Sequence, residues 1–473
     1  MCGIFGVIGI KEASIDVYHG LLALQHRGQD ACGILSFDKI SNGFYLDKGH
    51  GLVGNHFSED RFSKLSGDIA IGHVRYPTVG ICSIRDAQPF FIESKGGIGM
   101  AHNGNVSNVC EIKEKLVRNN WYINSNSDSE IILKCFADGL SHCGTVQGLF
   151  DAVKYVFDNA YPSYSSIAII AGKGLLAFRD TRGIRPLVFG KKITDGKTSY
   201  AFSSETVALN NLGYEVERDV RPGEAIFVDM TANFHSQQIY DDEHKHCMFE
   251  WVYFARPESE MEKRHLYHVR ERLGSEIAKE LKHLKADYVI AVPDTSRTAA
   301  LSIAGSLGIP YKEGLIKNRY IGRSFIMNCQ NQRENCVKLK LNVVHPNVKG
   351  KRLIVVDDSI VRGTTLRIIA GMLRQAGAEE IHMVSTCPPI VAPCFWGVDF
   401  PEKDELVAYE KSVSQIRDEM GVDTLTYMTM EALKKAVGID DLCIACLGGK
   451  APTCTKHIAA FANMRKSERN SGV

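Results

Sequence analysis

The chain has 473 residues, of which 44% are hydrophobic and 23% charged, a composition typical of globular proteins and a length that predicts two domains. Its formal net charge of +1 provides no general attraction for nucleic acid, and its longest apolar runs are far shorter than a membrane span. Nucleic acids and membranes are therefore not expected as partners. The N-terminus lacks the basic segment of a signal peptide, so we expect a cytoplasmic protein whose 14 cysteines are reduced thiols.

Residues 1–235 are predicted to form a first domain built mainly of antiparallel strands. Short apolar runs broken by Gly, Asn and Asp, for example at 68–74 and 224–228, are typical of strands. Two helical patterns interrupt them, from about 15 to 24 and from about 129 to 139.

Residues 236–464 are predicted to form a second domain of a different class. Helical patterns alternate there with buried strands at 288–292, 352–356 and 381–385, and this alternation predicts a parallel α/β sheet. The polar residues 465–473 are expected to form a flexible tail.

Cys2 is preceded only by Met1, and removal of Met1 would leave Cys2 with a free α-amino group. That amine, with a pKa of roughly 8, could act as the general base for the thiol, so that one residue supplies both the nucleophile and its base. A cysteine at the second position can equally be an accident of the start codon. The interpretation therefore depends on the residues that accompany it.

Several polar residues of the first domain lie where a substrate could bind. Arg75 ends a predicted strand and could bind a carboxylate, and Asp128 opens a predicted helix and could bind an ammonium group. Asn103 and Gly104 could stabilise an oxyanion, because glycine allows close approach of a substrate. The alternatives are a surface arginine, a helix cap and an Asn-Gly turn.

Taken together and in order, the segments MCGIFGVIG, LQHRGQDACGI, GHVRYPTVG, AHNGN and SDSE resemble the class-II glutamine amidotransferase domain. Such domains are N-terminal-nucleophile hydrolases with an αββα sandwich. The roles that this resemblance implies are thioester formation by Cys2, an oxyanion hole at Asn103 and Gly104, and glutamine binding by Arg75, Asp128 and Arg27. Pro77 departs from the family pattern, because relatives often carry serine at that position.

The segment 352–365, RLIVVDDSIVRGTT, is a buried strand followed by paired acids, a small turn and a helix. Turn and helix N–H groups suit a dianionic phosphate, whereas the acids suit ribose hydroxyls and Mg²⁺. A strand followed by a capped helix is the alternative. The segment resembles the phosphoribosyl pyrophosphate (PRPP) motif of type I phosphoribosyltransferases, in the form found in amidophosphoribosyltransferases. The PRPP-binding residues that it implies are Asp357, Asp358, Ser359, Arg362, Gly363, Thr364 and Thr365.

Two further segments of the second domain resemble parts of that family's site. Residues 293–297 resemble the loop that faces pyrophosphate and Mg²⁺, which implies a Mg²⁺ site at Thr295, Asp357 and Asp358. Residues 314–323 resemble the mobile loop that closes over PRPP and shapes an ammonia channel, which implies that Lys317 and Arg319 bind PRPP. A solvated basic loop is the alternative for this second segment.

Cys443 and Cys446 form a C-x-x-C pair, which alone could be half of a zinc site, a redox pair or a chance occurrence. Cys247 and Cys394 lie in segments that resemble those carrying cluster ligands in the iron–sulfur subgroup of amidophosphoribosyltransferases. The resemblance therefore implies a structural 4Fe–4S cluster on these four cysteines, with a four-thiolate zinc site as the rival. Cys387 is expected to be buried packing.

The resemblance covers nearly the whole chain and implies an amidophosphoribosyltransferase. This enzyme converts glutamine, PRPP and water into 5-phosphoribosylamine, glutamate and pyrophosphate, the committed first step of purine synthesis. Purine nucleotides are expected as feedback inhibitors, and a homotetramer or homodimer as the assembly. A glucosamine-6-phosphate synthase shares the first domain but lacks the PRPP motif. A PRPP-sensing regulator would have no reason to keep Cys2, Asn103 and Asp128 together.

Overall fold

The computed structural model describes residues 2–76, 83–140, 145–318, 320, 339–400 and 402–470. Within these residues, the chain forms two antiparallel sheets followed by a parallel sheet. No helix among them is both long and apolar enough to cross a membrane.

The first domain is a sandwich of two antiparallel sheets. Its strands are β1 (Gly3–Ile8), β2 (Ala31–Asp38), β3 (Gly43–His50), β4 (Ile69–Arg75), β5 (Phe90–Ile92), β6 (Ile98–Gly104), β7 (Tyr164–Ile170), β8 (Gly174–Arg179), β9 (Val188–Thr194), β10 (Lys197–Ser203), β11 (Glu215–Asp219), β12 (Glu224–Asp229) and β13 (Phe234–Gln238). One sheet has the order β11-β9-β10-β1-β4-β2-β3, and the other has the order β13-β12-β8-β7-β6-β5. The strand that follows Cys2 is therefore central in one sheet.

Helices cover the outer faces of both sheets, which completes the predicted αββα sandwich. They are α1 (Ala13–Ala23), α2 (Val53–His56), α3 (Glu59–Phe62), α4 (Val109–Arg118), α5 (Asp128–Gly139), α6 (Val146–Asn159) and α7 (Thr206–Asn211). Separate apolar clusters lie under the helices of each sheet and between the two sheets. An added Cβ on Gly6 would lie 2.8 Å from Ile167 of the facing sheet, so glycine allows the two sheets to pack closely at β1.

The second domain is built on a parallel sheet with the order β17-β20-β21-β22. Its strands are β14 (His246–Cys247), β15 (Glu260–Met261), β16 (Arg264–His265), β17 (Tyr288–Ala291), β18 (Leu315–Lys317), β19 (Leu341–Val343), β20 (Arg352–Asp357), β21 (Glu380–Ser385), β22 (Thr424–Tyr427) and β23 (Leu442–Cys443). Its helices are α8 (Leu266–Ile277), α9 (Arg297–Leu307), α10 (Thr364–Gln375), α11 (Val413–Met420), α12 (Met430–Val437) and α13 (Ile458–Asn470). Leu353 and Val355 pack in one apolar cluster and Ile354 and Val356 in another, so both faces of β20 are buried.

The prediction of a flexible tail at 465–473 is wrong for the first residue of that range, because Arg465 lies within α13 and is buried. Its Nη1 donates a hydrogen bond of 2.7 Å to the carbonyl oxygen of Cys394, and Phe461 of the same helix is buried among apolar side chains of the first domain. The polar composition of this segment gave no indication of these contacts, because only one guanidinium group and one aromatic ring make them.

Candidate active sites

Cys2 lies at the start of β1, and strand pairing sets its position. Gly3 pairs with Val74 in antiparallel register, which places Cys2 opposite Arg75 at the end of β4. The backbone nitrogen of Cys2 donates to Asn103 Oδ1 at 3.2 Å, and its thiol lies 3.7 Å from the carbonyl oxygen of Tyr76. The structure therefore brings the predicted nucleophile together with Asn103 of the facing sheet.

Asn103 and Gly104 end β6, beside Cys2. Asn103 is fully buried, and its Nδ2 has no hydrogen-bond partner among the described residues. An added Cβ on Gly104 would lie 2.2 Å from the carbonyl oxygen of Ser163, so no larger residue fits there. A buried donor without a partner costs free energy, and this arrangement suits a group that hydrogen-bonds to a substrate instead.

Arg75 and Asp128 are the predicted glutamine anchors. Arg75 is the last residue of β4, which pairs with β1, and Asp128 lies close to the end of β6. Arg75 is buried, with Nη2 at 4.0 Å from Asp86 Oδ2. Asp128 is the first residue of α5, and its Oδ2 accepts a hydrogen bond of 3.0 Å from the backbone nitrogen of Val106. Its Oδ1 lies 3.8 Å from Nδ1 of the buried His102, whose pKa is lowered by burial although the Asp128 charge opposes this. Burial thus disfavours the protonated form of the histidine beside Asp128.

The PRPP motif forms a turn between β20 and α10. Gly363 precedes α10 with φ 72°, a left-handed conformation that favours glycine. Thr364 and Thr365 form the start of the helix, where backbone N–H groups point outward and can bind an anion. Ser359 Oγ donates to Asp358 Oδ1 at 2.7 Å, and Arg362 pairs with Glu405 at 3.2 Å.

Asp357 and Asp358 lie at the carboxyl end of β20, where Asp358 is buried and Asp357 is partly buried. Burial and the neighbouring Asp358 charge raise the pKa of Asp357 well above its ordinary value. Burial raises the pKa of Asp358 to about 6, although Ser359 and Arg270 oppose the shift. Two neighbouring acids with raised pKa values would gain stability from a cation or from hydroxyl donors placed against them.

Thr295 lies in the loop beside this acidic pair. The backbone nitrogen of Val292 donates to the carbonyl oxygen of Val356 at 2.9 Å, so the loop that follows β17 begins next to Asp357. Lys317 lies near the same loop, with its Nζ at 3.1 Å from Asp294 Oδ2. The structure therefore groups these predicted residues at one edge of the sheet. Arg319 and Pro77 lie outside the described residues.

The four predicted cluster cysteines also converge. Cys247 pairs with Cys443 where β14 and β23 run in parallel, and the carbonyl oxygen of Cys446 accepts hydrogen bonds from residues 391 and 392, just before Cys394. All four are buried. Burial, followed by the charges of the neighbouring cysteines, raises the pKa of Cys443 and of Cys446. The thiols are thus close enough to affect one another's ionisation.

Comparisons with known proteins place the chain in a family. A glutamine amidotransferase domain matches residues 58–267, and a phosphoribosyl transferase domain matches residues 262–416. The chain is 43% identical over 453 residues to an amidophosphoribosyltransferase of Haemophilus influenzae, with coverage of 93% of this chain and 90% of the relative. It is 40% identical to that of Methanothermobacter thermautotrophicus, with coverage of 99% and 98%. The chain belongs to the amidophosphoribosyltransferase family.

Solved structures agree with this assignment. Glutamine PRPP amidotransferase from B. subtilis, complexed with ADP and GMP, superimposes with a TM-score of 0.87 at 37% identity and covers 96% of this chain and 98% of that chain. The predicted fold, an N-terminal-nucleophile domain followed by a phosphoribosyltransferase domain, is confirmed, as is the predicted function as an amidophosphoribosyltransferase of purine biosynthesis.

Arg27 lies next to the nucleophile of this amidophosphoribosyltransferase, but its contacts do not support the predicted binding of glutamine. It is fully buried, and its Nε donates to the carbonyl oxygen of Cys2 at 3.0 Å. Its two terminal nitrogens pair with Glu205 and, at 2.7 Å, with Glu250. Each guanidinium nitrogen of Arg27 therefore has a partner within the protein, and one of these contacts fixes the backbone of Cys2.

The roles of Glu205 and Glu250 were not predicted from the sequence, because these residues lie 178 and 223 positions from Arg27. Burial would raise the pKa of Glu205, but the charges of His26 and Arg27 hold it well below its ordinary value. A glutamate within the apolar run Phe249–Phe254 is the one local signal that could have indicated Glu250, because a buried acid needs a cationic partner.

Proposed function

We propose that Cys2, with its own α-amino group as the base, is the nucleophile with which this amidophosphoribosyltransferase hydrolyses glutamine. The thiol attacks the side-chain amide carbon, ammonia leaves, and water then releases glutamate from the thioester. Asn103 Nδ2 and the backbone N–H of Gly104 stabilise the oxyanion. Arg75 binds the carboxylate of glutamine, and Asp128 binds its ammonium group.

The released ammonia attacks C1 of PRPP in the second domain, and pyrophosphate leaves. In this proposal, the turn N–H groups and side chains of residues 359 and 362–365 bind PRPP together with Asp357 and Asp358. Lys317, the last residue of β18, and Arg319 are proposed to contact it as well. The protein contributes mainly positioning and exclusion of water, because water would consume the activated sugar.

Mg²⁺ is proposed to bind at Thr295, Asp357 and Asp358. The chemistry of these donors fits the ion, since Mg²⁺ prefers hard oxygen ligands and the two neighbouring carboxyl groups have raised pKa values. When bound, Mg²⁺ would neutralise charge on the pyrophosphate that leaves. Among the described residues, no group of three His, Cys, Asp or Glu side chains could hold a metal ion as placed.

A 4Fe–4S cluster is proposed on Cys247, Cys394, Cys443 and Cys446. A single zinc ion needs four sulfur atoms at about 2.3 Å from one point, whereas a cluster binds its thiolates at separate iron corners. The four cysteines are buried, and Cys247 and Cys394 contribute to the raised pKa of Cys443, so these thiols lie near one another. A four-thiolate zinc site stays the rival. The cluster would serve as structural support.

Purine nucleotides are proposed as feedback inhibitors, since the B. subtilis protein is described as complexed with ADP and GMP. A homotetramer or homodimer and a cytoplasmic location stay predictions.

The contact between the Cys2 backbone nitrogen and Asn103 Oδ1, beside the buried Asn103 Nδ2, carries the proposal for the first site. The test is Cys2→Ala, which should abolish synthesis from glutamine while leaving synthesis from added ammonia and PRPP. Cys32→Ala is the matched control, because Cys32 is a buried cysteine of β2 and has no proposed chemical role. Loss of both activities in Cys2→Ala would make the cysteine structural, and absence of pyrophosphate release by the parent protein would favour a regulator.

A further inference from the structure

Two segments that are distant in sequence meet behind the proposed oxyanion hole. One is the oxyanion turn, residues 103–105, and the other is segment 395–397, which directly follows Cys394. Asn105 Nδ2 donates to the carbonyl oxygen of Phe395 at 2.7 Å. Ser163 Oγ donates to the carbonyl oxygen of Trp396 at 2.6 Å. Two carbonyl groups of the second domain thus accept hydrogen bonds from buried side chains of the first.

Asn105 and Ser163 also hold each other through their backbones. The nitrogen of Asn105 donates to the carbonyl oxygen of Ser163 at 2.6 Å, and the nitrogen of Ser163 donates to the carbonyl oxygen of Asn105 at 2.8 Å. Because Asn105 directly follows Gly104, this double hydrogen bond fixes the backbone of the oxyanion turn. Asn105 and Ser163 are 2% and 0% exposed, so water does not compete for these bonds.

Gly397 brings the two segments into backbone contact. Its φ is 103°, and an added Cβ would lie 3.4 Å from the carbonyl carbon of Gly104 and 3.3 Å from Arg185 Nε. Arg185 is fully buried, and its Nη2 donates at 2.7 Å to the Trp396 carbonyl oxygen that Ser163 also reaches. The rear of the oxyanion turn is therefore packed against segment 395–397.

We propose that segment 395–397 positions the oxyanion hole, and that Asn105 and Ser163 are positioning residues for glutamine hydrolysis. The inference rests on the proposed roles of Asn103 and Gly104. Donors stabilise an oxyanion only where they are held in place beforehand, and small displacements of catalytic groups cost much of the rate. Glutamine turnover in the first domain thus depends on a segment of the second.

Asn105→Ala removes the contact from the first domain, and Gly397→Ala disturbs it from the second. Removal of one oxyanion donor costs about 10²–10³ in kcat, so a displaced donor should lower kcat for glutamine hydrolysis by about tenfold or more. KM for glutamine should stay within about twofold, because the glutamine anchors Arg75 and Asp128 are untouched. Synthesis from ammonia and alkylation of Cys2 by iodoacetamide, followed on the N-terminal peptide, should also stay near the parent values.

Two matched controls separate positioning from general loss of structure. Asn108 is a buried asparagine that makes hydrogen bonds of 2.8 and 2.9 Å to residues 159 and 161 but none to segment 395–397. Gly421 has φ 68°, with open space where a Cβ would lie. Asn108→Ala and Gly421→Ala should keep kcat for glutamine hydrolysis within about twofold of the parent value.

The outcomes are distinguishable. If Asn105→Ala hydrolyses glutamine at the parent kcat while Asn103→Ala does not, this inference is overturned and the proposed function stands. If Asn103→Ala also keeps the parent kcat, the proposed oxyanion hole fails. Parallel loss of glutamine hydrolysis, ammonia-dependent synthesis and Cys2 alkylation in Asn105→Ala would show a purely structural role and overturn the inference as well.

Discussion

Arg27 is a fully buried cation that lies between the carbonyl oxygen of Cys2 and two glutamates from distant parts of the chain. Burial of charged groups costs free energy, and the opposite charges beside each group offset this cost. Glu205 also accepts a hydrogen bond of 2.9 Å from the backbone nitrogen of Arg256, and Glu250 pairs with Arg185 at 3.3 Å. The backbone of Cys2 is thus supported by a network of buried charges from distant parts of the chain.

Glu250→Gln should destabilise the protein strongly, because it leaves the buried Arg27 with one anionic partner fewer. Breaking a buried pair costs about 3–5 kcal/mol, whereas an exposed pair contributes about 0–1 kcal/mol. We expect a clear drop in the thermal unfolding midpoint and a larger loss of glutamine hydrolysis than of ammonia-dependent synthesis. Glu258→Gln is the control, since Glu258 pairs with Arg256 on the surface. Equal midpoints for the two variants would contradict this account of Arg27.

At the scale of elements, the hairpin of β15 and β16 docks on the first domain. Its turn residue Glu262 has φ 46° and pairs with Arg179 of β8 at 2.9 Å, while its backbone nitrogen donates to Asp219 Oδ2 at 2.9 Å. Burial, together with the charge of Glu262, raises the pKa of Asp219 to about 7, although Arg179 opposes the shift and Glu260 adds to it. A carboxyl group that resists ionisation therefore lies at the contact between the domains.

Asp219→Asn should stabilise the protein at alkaline pH. The folded-state pKa of Asp219 exceeds its ordinary value of 3.8, so its contribution to stability is full below pH 3.8 and is lost as the pH rises toward 7. Asparagine keeps the acceptor for the Glu262 N–H and does not ionise. The midpoint gain over the parent should therefore grow from pH 5 to pH 8, measured by thermal unfolding.

Asp229→Asn serves as a control of opposite sign, because Asp229 accepts hydrogen bonds from Thr231 and Asn233 that hold its pKa well below its ordinary value although burial opposes them. This variant should lose stability by the same amount from neutral pH down to about pH 4, and the loss should shrink only as the pH falls below the ordinary pKa of 3.8. A gain for Asp219→Asn that did not change between pH 5 and pH 8 would contradict the raised pKa.

Elements with strong local patterns could be predicted from the sequence. The helix predicted at 129–139 is α5 (Asp128–Gly139), and the predicted strand at 352–356 is β20 (Arg352–Asp357). Both carry a continuous buried pattern and a defined boundary residue. The segments that connect the domains could not be predicted, since their partners are remote: the contact of Arg465 with Cys394 spans 71 residues. For the same reason, the Arg27 pairs and the support of Gly104 by segment 395–397 left no local signal.

At the scale of the whole molecule, the cysteine site joins segments from both ends of the second domain and touches the first. Cys247 and Cys443 pair in neighbouring strands, and Cys394 lies one and two residues before the two carbonyl groups that support the oxyanion turn. The backbone nitrogen of Trp396 donates to Cys394 Sγ at 3.3 Å. A cluster bound by these cysteines, as proposed, would therefore stabilise both the second domain and the contact between the domains.

Protein purified without air should therefore contain about four iron and four sulfide per chain and show a visible absorption band, as a 4Fe–4S cluster requires. Removal of the metal by a chelator should lower the thermal midpoint and speed proteolysis near residues 394 and 443, because buried thiols would lose the partner that holds the segments together. Cys443→Ser should reproduce both effects, whereas Cys135→Ser, at a buried cysteine in α5, should keep iron and stability near the parent values. If the protein contained stoichiometric zinc and no sulfide, the proposed cluster would be wrong and the four cysteines would form a zinc site. A metal-free protein with an unchanged midpoint would assign the four cysteines to packing alone.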